Sequence, residues 1–383
     1  MNWQYSFINE MFENGNTFSN IYKNTELINC KSDKIPESLF RFYPPTAQNI
    51  IDIQNKKLWL SSASDFNDPF DCLVGYNSDD YIKKVLIKYI LNNKQHLVID
   101  SNDSFTKNDL SCIYNTNTSI TNHRTISRKK SFSLCLWEIL NSKTDNFRSI
   151  INKIISERLF HADSIINNVK QSNIRVACFT GTEYSFDCIY NMLLWSHYAN
   201  CHKGFCVEYD MRCLKEDTRY RIKYQFEDIE KFNEERLIGC IKAGLFPIVY
   251  SNKIVNITPS ILNRFFKNQT NDIFEHNMMI KVLRSYITKS TKWSYEKEWR
   301  LVVDKKISDF YNNKIPFPFI KSIYIGCKAS RDLIEVLTRT GEILGVDVHI
   351  MDISKKEFGL IKETINRRKT NHNFTTPFFD SRH

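Results

Sequence analysis

Glycine and proline are both scarce in this chain, at 10 and 9 of 383 residues. That scarcity excludes a collagen-like or glycine-rich linker architecture. Uninterrupted apolar runs are also missing: none approaches the roughly 20 residues of a membrane span, so no membrane association is expected. The 11 cysteines are scattered and contain no Cys-x-x-Cys pair. Met1–Gly15 has no apolar signal core, because Trp3, Tyr5, Glu10 and Glu13 interrupt it. An odd thiol count without an export signal leads us to expect a reducing, cytoplasmic setting.

Aromatic side chains are plentiful: 27 Phe and 18 Tyr within a hydrophobic fraction of 42% exclude a mainly disordered chain and supply a packed interior. The length calls for one large elaborated domain or two domains. Lys and Arg exceed Asp and Glu by 53 − 43 = 10. This excess favours phosphate-bearing partners, although a solvated basic surface in Asn/Lys/Ile-rich stretches is the plainer explanation.

The pattern along the chain reads as an α+β fold: a mixed, partly split β-sheet core with a large helical insertion. Residues 1–37 form a lead-in, 38–353 a single elaborated domain, and 354–383 a basic tail, expected to fray after Lys355 and carrying Arg367-Arg368-Lys369. Leu39–Tyr43 alternates as a strand, Thr46 can cap a helix over Ala47–Gln54 with Ile50, Ile51 and Ile53 on its apolar side, and Leu58–Ser61 follows as a strand. This is a compact βαβ-like opening. Residues 78–172 are the insertion, helical at Tyr81–Asn92 and Phe147–Val169 with a loose, turn-rich middle over Asn102–Arg128. Strands are expected at Arg175–Phe179, Phe205–Tyr209, Ile248–Tyr250 and Trp299–Val303, and helices at Met192–Asn200 and 256–290. Lys321–Gly326, a helix at Arg331–Leu344, and Val346–Met351 read as a second βαβ unit with parallel strands.

Three short segments concentrate the unusual polar residues. In Ser61–Asp71, small hydroxyls (Ser61, Ser62) lead into Phe66-Asn67-Asp68-Pro69-Phe70-Asp71. This reads either as a self-satisfying Asx turn anchored by Phe66 and Phe70, or as a loop presenting Asn67, Asp68 and Asp71 to a cleft. In Trp195–Gly204, His197 and Cys201 lie four apart, which is a ligand spacing on a helix. No second ligand pair accompanies them, so no metal is assigned. A buried, hydrogen-bonded His197 beside Trp195 is the plainer reading. In Trp293–Arg300, a period of two puts Glu296, Glu298 and Arg300 on one face, either pairing their own charges or lining a substrate cleft.

These segments resemble a bacterial family of unknown function. Its pattern is an aromatic/basic first strand (Phe40–Tyr43), a Leu-aromatic-x-Ser strand running into Phe-Asn-Asp-Pro-Phe-Asp (Leu58–Asp71), Trp-Ser-His-Tyr-Ala with His-x-Gly (Trp195–Gly204), and Glu-x-Glu-Trp-Arg (Glu296–Arg300). The resemblance covers residues 38–76, 174–210 and 285–353. The order Arg41, then Ser61 or Ser62, then Glu296/Glu298 also resembles the ADP-ribosyltransferase-like superfamily, which implies NAD as substrate. In that reading Glu298 stabilises the oxocarbenium character that develops as the nicotinamide–ribose bond breaks, and Glu296 orients the acceptor. Arg41 grips ribose or pyrophosphate oxygens, Tyr43 or Phe66 stacks on nicotinamide, and Trp195, His197, Tyr198, His202 and Arg300 line the substrate cleft. The implied setting is a toxin or phage-defence effector with a protein or nucleic-acid acceptor and an unidentified antitoxin. Two rivals stand beside it. One is a metal-dependent nuclease or phosphodiesterase using Asp68, Asp71, His197 and Glu298. The other is a non-catalytic nucleotide-binding sensor or interaction module.

Overall fold

The computed structural model describes residues 3–13, 30–92, 102–118, 130–170, 173–181, 187–216, 234–258 and 271–366. The fold is α+β, built on a mixed eight-stranded sheet. Two compact units share the chain in interleaved segments. The first takes Met1–Lys23, Ser62–Ile174 and Val249–Trp293, and the second takes Asn24–Ser61, Arg175–Ile248 and Ser294–His383.

The large sheet contains β1 (Ser38–Tyr43), β2 (Ile174–Thr180), β3 (Phe205–Asp210), β4 (Leu245–Pro247), β5 (Glu298–Asp304), β6 (Ile320–Ile325), β7 (Asp347–Ile353) and β8 (Leu360–Asn366). Their order across the sheet is β8-β7-β6-β3-β1-β2-β5-β4. The strands β6 and β7 are parallel, as the βαβ pattern requires. Their connecting helix, Arg331–Leu344, shows why the sequence folds this way. Ser330 caps its first turn by accepting from Leu333 N, and Gly345, at φ 67°, ends it in the left-handed conformation. Leu333, Leu337, Thr340 and Gly341 recur at helical spacing and are buried. Burying the two leucines stabilises the fold by roughly 1.5–3 kcal/mol each. Gly341 lets the helix pack closely on β7: a Cβ there would stand 2.1 Å from Val348 Cγ2 and force that side chain or the helix to shift.

The opening of the domain departs from expectation. Thr46 does cap the helix Ala47–Gln54, accepting from Asn49 N. Ile53 is buried, but Ile51 is 48% exposed. The next strand, Lys57–Trp59, does not join the large sheet. It forms a separate antiparallel ribbon with Lys314–Pro316, so the opening is no true βαβ unit. A second correction concerns the C-terminal segment. Expected to fray after Lys355, the chain instead adds β8, antiparallel to β7. Leu360 is buried there, which gives the strand an apolar anchor. Arg367-Arg368-Lys369 lies outside the described residues.

Within the first unit, helices span Ser78–Asn92, Lys107–Tyr114, Phe132–Asn141 and Asp145–Lys170. The middle of this stretch, read as loose, holds the Lys107–Tyr114 helix. Thr106 and Asp109 close a capping box at its start, a signal the turn-rich composition hid. Val74–Gly75 pairs with Val255–Asn256, and Val249–Tyr250 with Thr288–Lys289, both in parallel. Among the described residues the cysteines form no disulfide. No helix among the described residues is long and apolar enough to cross a membrane.

Candidate functional site

Strand alternation sorts the candidate residues of the second unit. In β1, Phe40 and Phe42 join a core cluster with Trp195, Leu194, Cys206 and Tyr324. Arg41 and Tyr43 therefore face the other side of the sheet. The helix Met192–Tyr198 packs on the Phe40 side, with Trp195 fully buried, its ring edge-on to Phe42 at 5.1 Å and its Nε1 donating to Ile189 O at 2.7 Å.

That helix stops at Tyr198. Asn200, Cys201 and His202 then take φ values of 46°, 54° and 68°, three successive left-handed residues without a glycine among them. Each is disfavoured by roughly 1–2 kcal/mol, so the surrounding structure must hold the turn. Gly204 and Gly326 do so by close approach: a Cβ on Gly204 would lie 2.1 Å from Tyr43 O, and one on Gly326 2.2 Å from His202 O. The turn removes Cys201 from the helical face of His197, which overturns the i, i+4 ligand spacing. His197, read as buried, is exposed. His202 takes the inner position instead. Its ring stacks on Trp195 at 6.4 Å, its Nε2 shares a hydrogen bond with Ser196 Oγ at 3.2 Å, and its Nδ1 is buried without a partner. Burial, reinforced by Lys328, lowers its pKa, so the ring is neutral near pH 7.

The late carboxylates occupy different elements. Glu296 ends a 3-10 turn, Thr291–Glu296, and Lys297 at φ 47° breaks the chain direction before β5 begins at Glu298. The expected continuous row of Glu296, Glu298 and Arg300 therefore holds only for the last two. Arg300, fully buried, donates from Nε to Glu298 Oε1 at 2.6 Å and from Nη2 to Oε2 at 3.2 Å. Glu296 is also buried. It accepts the Tyr198 hydroxyl at 2.5 Å, while its carbonyl accepts from Thr180 Oγ1. Asn191 Nδ2 donates to Tyr295 O at 3.4 Å. The second motif segment and residues 294–300 thus meet in one cluster. Thr180 and Asn191 belong to it and carried no sequence signal of their own.

Arg41 is not part of that cluster. The strand β2 lies between β1 and β5, which separates their backbones by about 10 Å at normal strand spacing. Arg41 donates to Trp59 O at 3.1 Å and covers the Tyr43 ring at 5.3 Å. Tyr43 is buried, its hydroxyl 2.7 Å from that of Tyr209, and its face is stacked on Phe205. Ser61 forms an isolated bridge to Val176 through both backbone groups, a structural role beside β2.

The first unit holds the first motif segment from Ser62 onward. Ser62 and Asp65 form a capping box around the turn Ala63–Asp65. Asp68 Oδ1 accepts from Phe70 N at 2.9 Å, an Asx turn, and its Oδ2 accepts Trp293 Nε1 at 2.7 Å. Asp71, buried, caps Cys72 N and lies 3.6 Å from Lys289 Nζ, which itself sits over the Trp293 ring at 5.2 Å. Phe66 is half-buried and Asn67 exposed. Phe70, read as an anchor, is 70% exposed. The anchors are Asp68 and Asp71 instead, through two residues absent from the sequence-derived site, Trp293 and Lys289. Trp293 stood in a motif segment and was detectable; Lys289 was not.

Among the described residues no three His, Cys, Asp or Glu side chains are grouped to hold a metal ion. The arrangement is thus an α+β scaffold with a part-buried acid–phenol pair and a buried guanidinium–carboxylate pair on neighbouring segments. Residues 194–301 match the model of a family described as "Protein of unknown function (DUF2971)". That stretch contains both the Trp195–Gly204 and the Glu296–Arg300 segments and excludes Phe66–Asp71. No curated protein and no solved structure matches the chain.

Proposed function

We propose an NAD-consuming, ADP-ribosyltransferase-like activity in which Glu296, rather than Glu298, is the working carboxylate. The observation that carries this reading is the Tyr198–Glu296 hydrogen bond, which joins the two motif segments. Tyr198 is only partly buried whereas Glu296 is buried, so the phenol links surface and interior. A carboxylate held in a low-dielectric site stabilises developing positive charge on a ribose far more than one in water. Glu298 is engaged by both Nε and Nη2 of Arg300 and serves as the neutral floor of the site. Arg41, on the opposite sheet face from the helix Met192–Tyr198, has no role in this scheme.

Incubating the purified chain with NAD and measuring released nicotinamide tests the reading. Glu296→Gln should lower the rate by about 100-fold or more, the scale of a lost positioned acid–base or electrostatic group. A wild-type chain that releases no nicotinamide, or a Glu296→Gln variant as fast as wild type, overturns it. Transfer onto a protein or nucleic-acid acceptor would make the chain a toxin or phage-defence effector, and growth arrest by wild type but not by Glu296→Gln is the corresponding cellular outcome. The nuclease alternative has less support, because Asp68 and Asp71 are bonded to Trp293 and Lys289 and no ion-holding group is formed among the described residues.

A further inference from the structure

On the sheet face that carries Phe40 and Phe42, a row of polar side chains runs from β1 and β3 outward to β8. Glu208 of β3 stands opposite Phe40 and is 1% exposed. Its Oε1 accepts from Ser38 Oγ and from Lys321 Nζ, each at 2.6 Å, and its Oε2 accepts from the Tyr324 hydroxyl at 2.7 Å. Lys321 also donates to Ser38 Oγ at 3.1 Å. The Tyr324 ring is stacked on His349 of β7 at 4.8 Å, and Lys362 Nζ of β8 lies 5.8 Å from the same ring. His349 Nδ1 shares a hydrogen bond with Thr364 Oγ1 at 2.9 Å.

Two register breaks build this row. Ile320 opposes Tyr209 and Ser322 opposes Glu208, so Lys321 is an extra residue. Such a bulge redirects a side chain that strict alternation would send to the other face, and it brings Lys321 to Glu208. The second break falls in β8, where Val348 opposes Asn366 but His349 opposes Thr364. Bulges of this kind gather where a sheet re-aims side chains for a task.

The chemistry of the row selects one kind of ligand. Glu208 is neutralised by Lys321 and shielded by two hydroxyls, so it offers little to a cation. Lys321 gives two of its three N–H bonds to Glu208 and Ser38, and its side chain is 36% exposed, which leaves one donor directed outward. Thr364 Oγ1 engages the Nδ1 of His349, and among the described residues no hydrogen bond reaches its Nε2. Burial and then Lys362 lower the His349 pKa, so the ring is held neutral and leaves a polar nitrogen for a ligand. Lys362 supplies a second ammonium. We infer that Lys321, His349 and Lys362, arranged around Tyr324, form a binding site for a phosphate-bearing small molecule. The site stands independently of the chemistry assigned to Glu296.

Titration calorimetry with inorganic pyrophosphate tests the site. Wild type should bind it saturably, and Lys362→Ala and His349→Gln should each weaken binding about tenfold or more, as loss of a charged or directed donor to phosphate does. Lys362→Ala carries the test because Lys321→Met would strand Glu208 and can fail to fold. In an NMR spectrum, the His349 ring signals should shift on adding pyrophosphate. Absence of saturable binding, or equal affinity in wild type, Lys362→Ala and His349→Gln, overturns the proposal. Glu296→Gln should bind pyrophosphate as wild type does, so failure of the NAD reading and failure of this site give different results. Competition by ADP-ribose would identify a nucleotide as the source of the phosphate, and its lack of competition a free phosphate compound.

Discussion

In the first unit Asp68, at a half-buried position of the Phe66–Asp71 loop, is used to hold the loop's own shape and to accept an indole. In the second unit the carboxylates are drawn inward and matched to an arginine or a phenol. Asp68 bonds one backbone N–H and one indole, both neutral, at a half-buried position. Glu298 and Arg300 are an ion pair with almost no solvent contact. The difference is one of electrostatic consequence. Removing a neutral hydrogen bond near water is partly compensated by solvent, whereas removing half of a buried ion pair leaves a charge that solvent does not reach.

Variants at the two places should separate accordingly. Arg300→Ala should show the largest loss of stability, about 3–5 kcal/mol, in chemical denaturation. Adding Glu298→Leu to it should restore part of that loss, because the stranded carboxylate is then gone. If Arg300→Ala lowers stability by no more than a surface substitution does, the pair is not the neutral floor proposed for the site. Asp68→Ala should follow at about 1–2 kcal/mol, the penalty for leaving the Trp293 indole and the Phe70 amide without an acceptor. Its denaturation midpoint, compared with that of Trp293→Phe, reports whether the indole bond accounts for most of the effect. Equal losses from Arg300→Ala and Asp68→Ala would erase the distinction between the units.

The third expected effect is smaller and depends on pH. His202 and His349 both have pKa values lowered by burial. A histidine that binds its proton less readily folded than unfolded destabilises the fold under acid. The unfolded chain takes up more protons, so stability falls as pH drops below the ordinary value near 6.5 and recovers above it. His202→Phe keeps a ring to stack on Trp195 while removing the titration. It should flatten the slope of stability between pH 7 and pH 5, as followed by thermal unfolding. A slope unchanged in His202→Phe and in His349→Phe would show that neither ring stays neutral in the fold.

Much of the scaffold was legible because it rests on local rules. The Arg331–Leu344 helix carries its Ser330 cap, its Gly345 stop and its buried stripe in consecutive residues, and the parallel pairing of β6 and β7 follows from them. What failed depended on backbone choices that residue type does not announce. The left-handed turn at 200–202 uses Asn, Cys and His rather than glycine, so the sequence pattern continues the helix to Asn200 and offers a ligand spacing that the fold does not form. Lys297 at φ 47° likewise splits Glu296 from Glu298 where alternation had joined them. Lys57–Trp59 has the texture of any sheet strand, and only its distant partner Lys314–Pro316 separates it from the main sheet. The Glu208 network was invisible for a related reason. Its members come from five strands, and the bulge that aims Lys321 leaves no mark in the sequence.

Phe70 is the smallest and sharpest probe of the comparison. The Phe-Asn-Asp-Pro-Phe-Asp segment reads as though both phenylalanines pin the loop, yet Phe70 is 70% exposed and contributes to the turn mainly through its backbone N–H to Asp68. Phe70→Ser keeps that N–H and removes an aromatic ring from water. Its stability should therefore stay within about 0.5 kcal/mol of wild type, as for substitutions remote from core and caps. Phe66→Ser, at a half-buried position in the same loop, should be measurably worse in the same denaturation experiment. A large loss from Phe70→Ser would mean that the ring packs in solution. The loop would then owe its order to apolar burial as well as to its aspartates, and its contrast with the buried charges of the second unit would narrow.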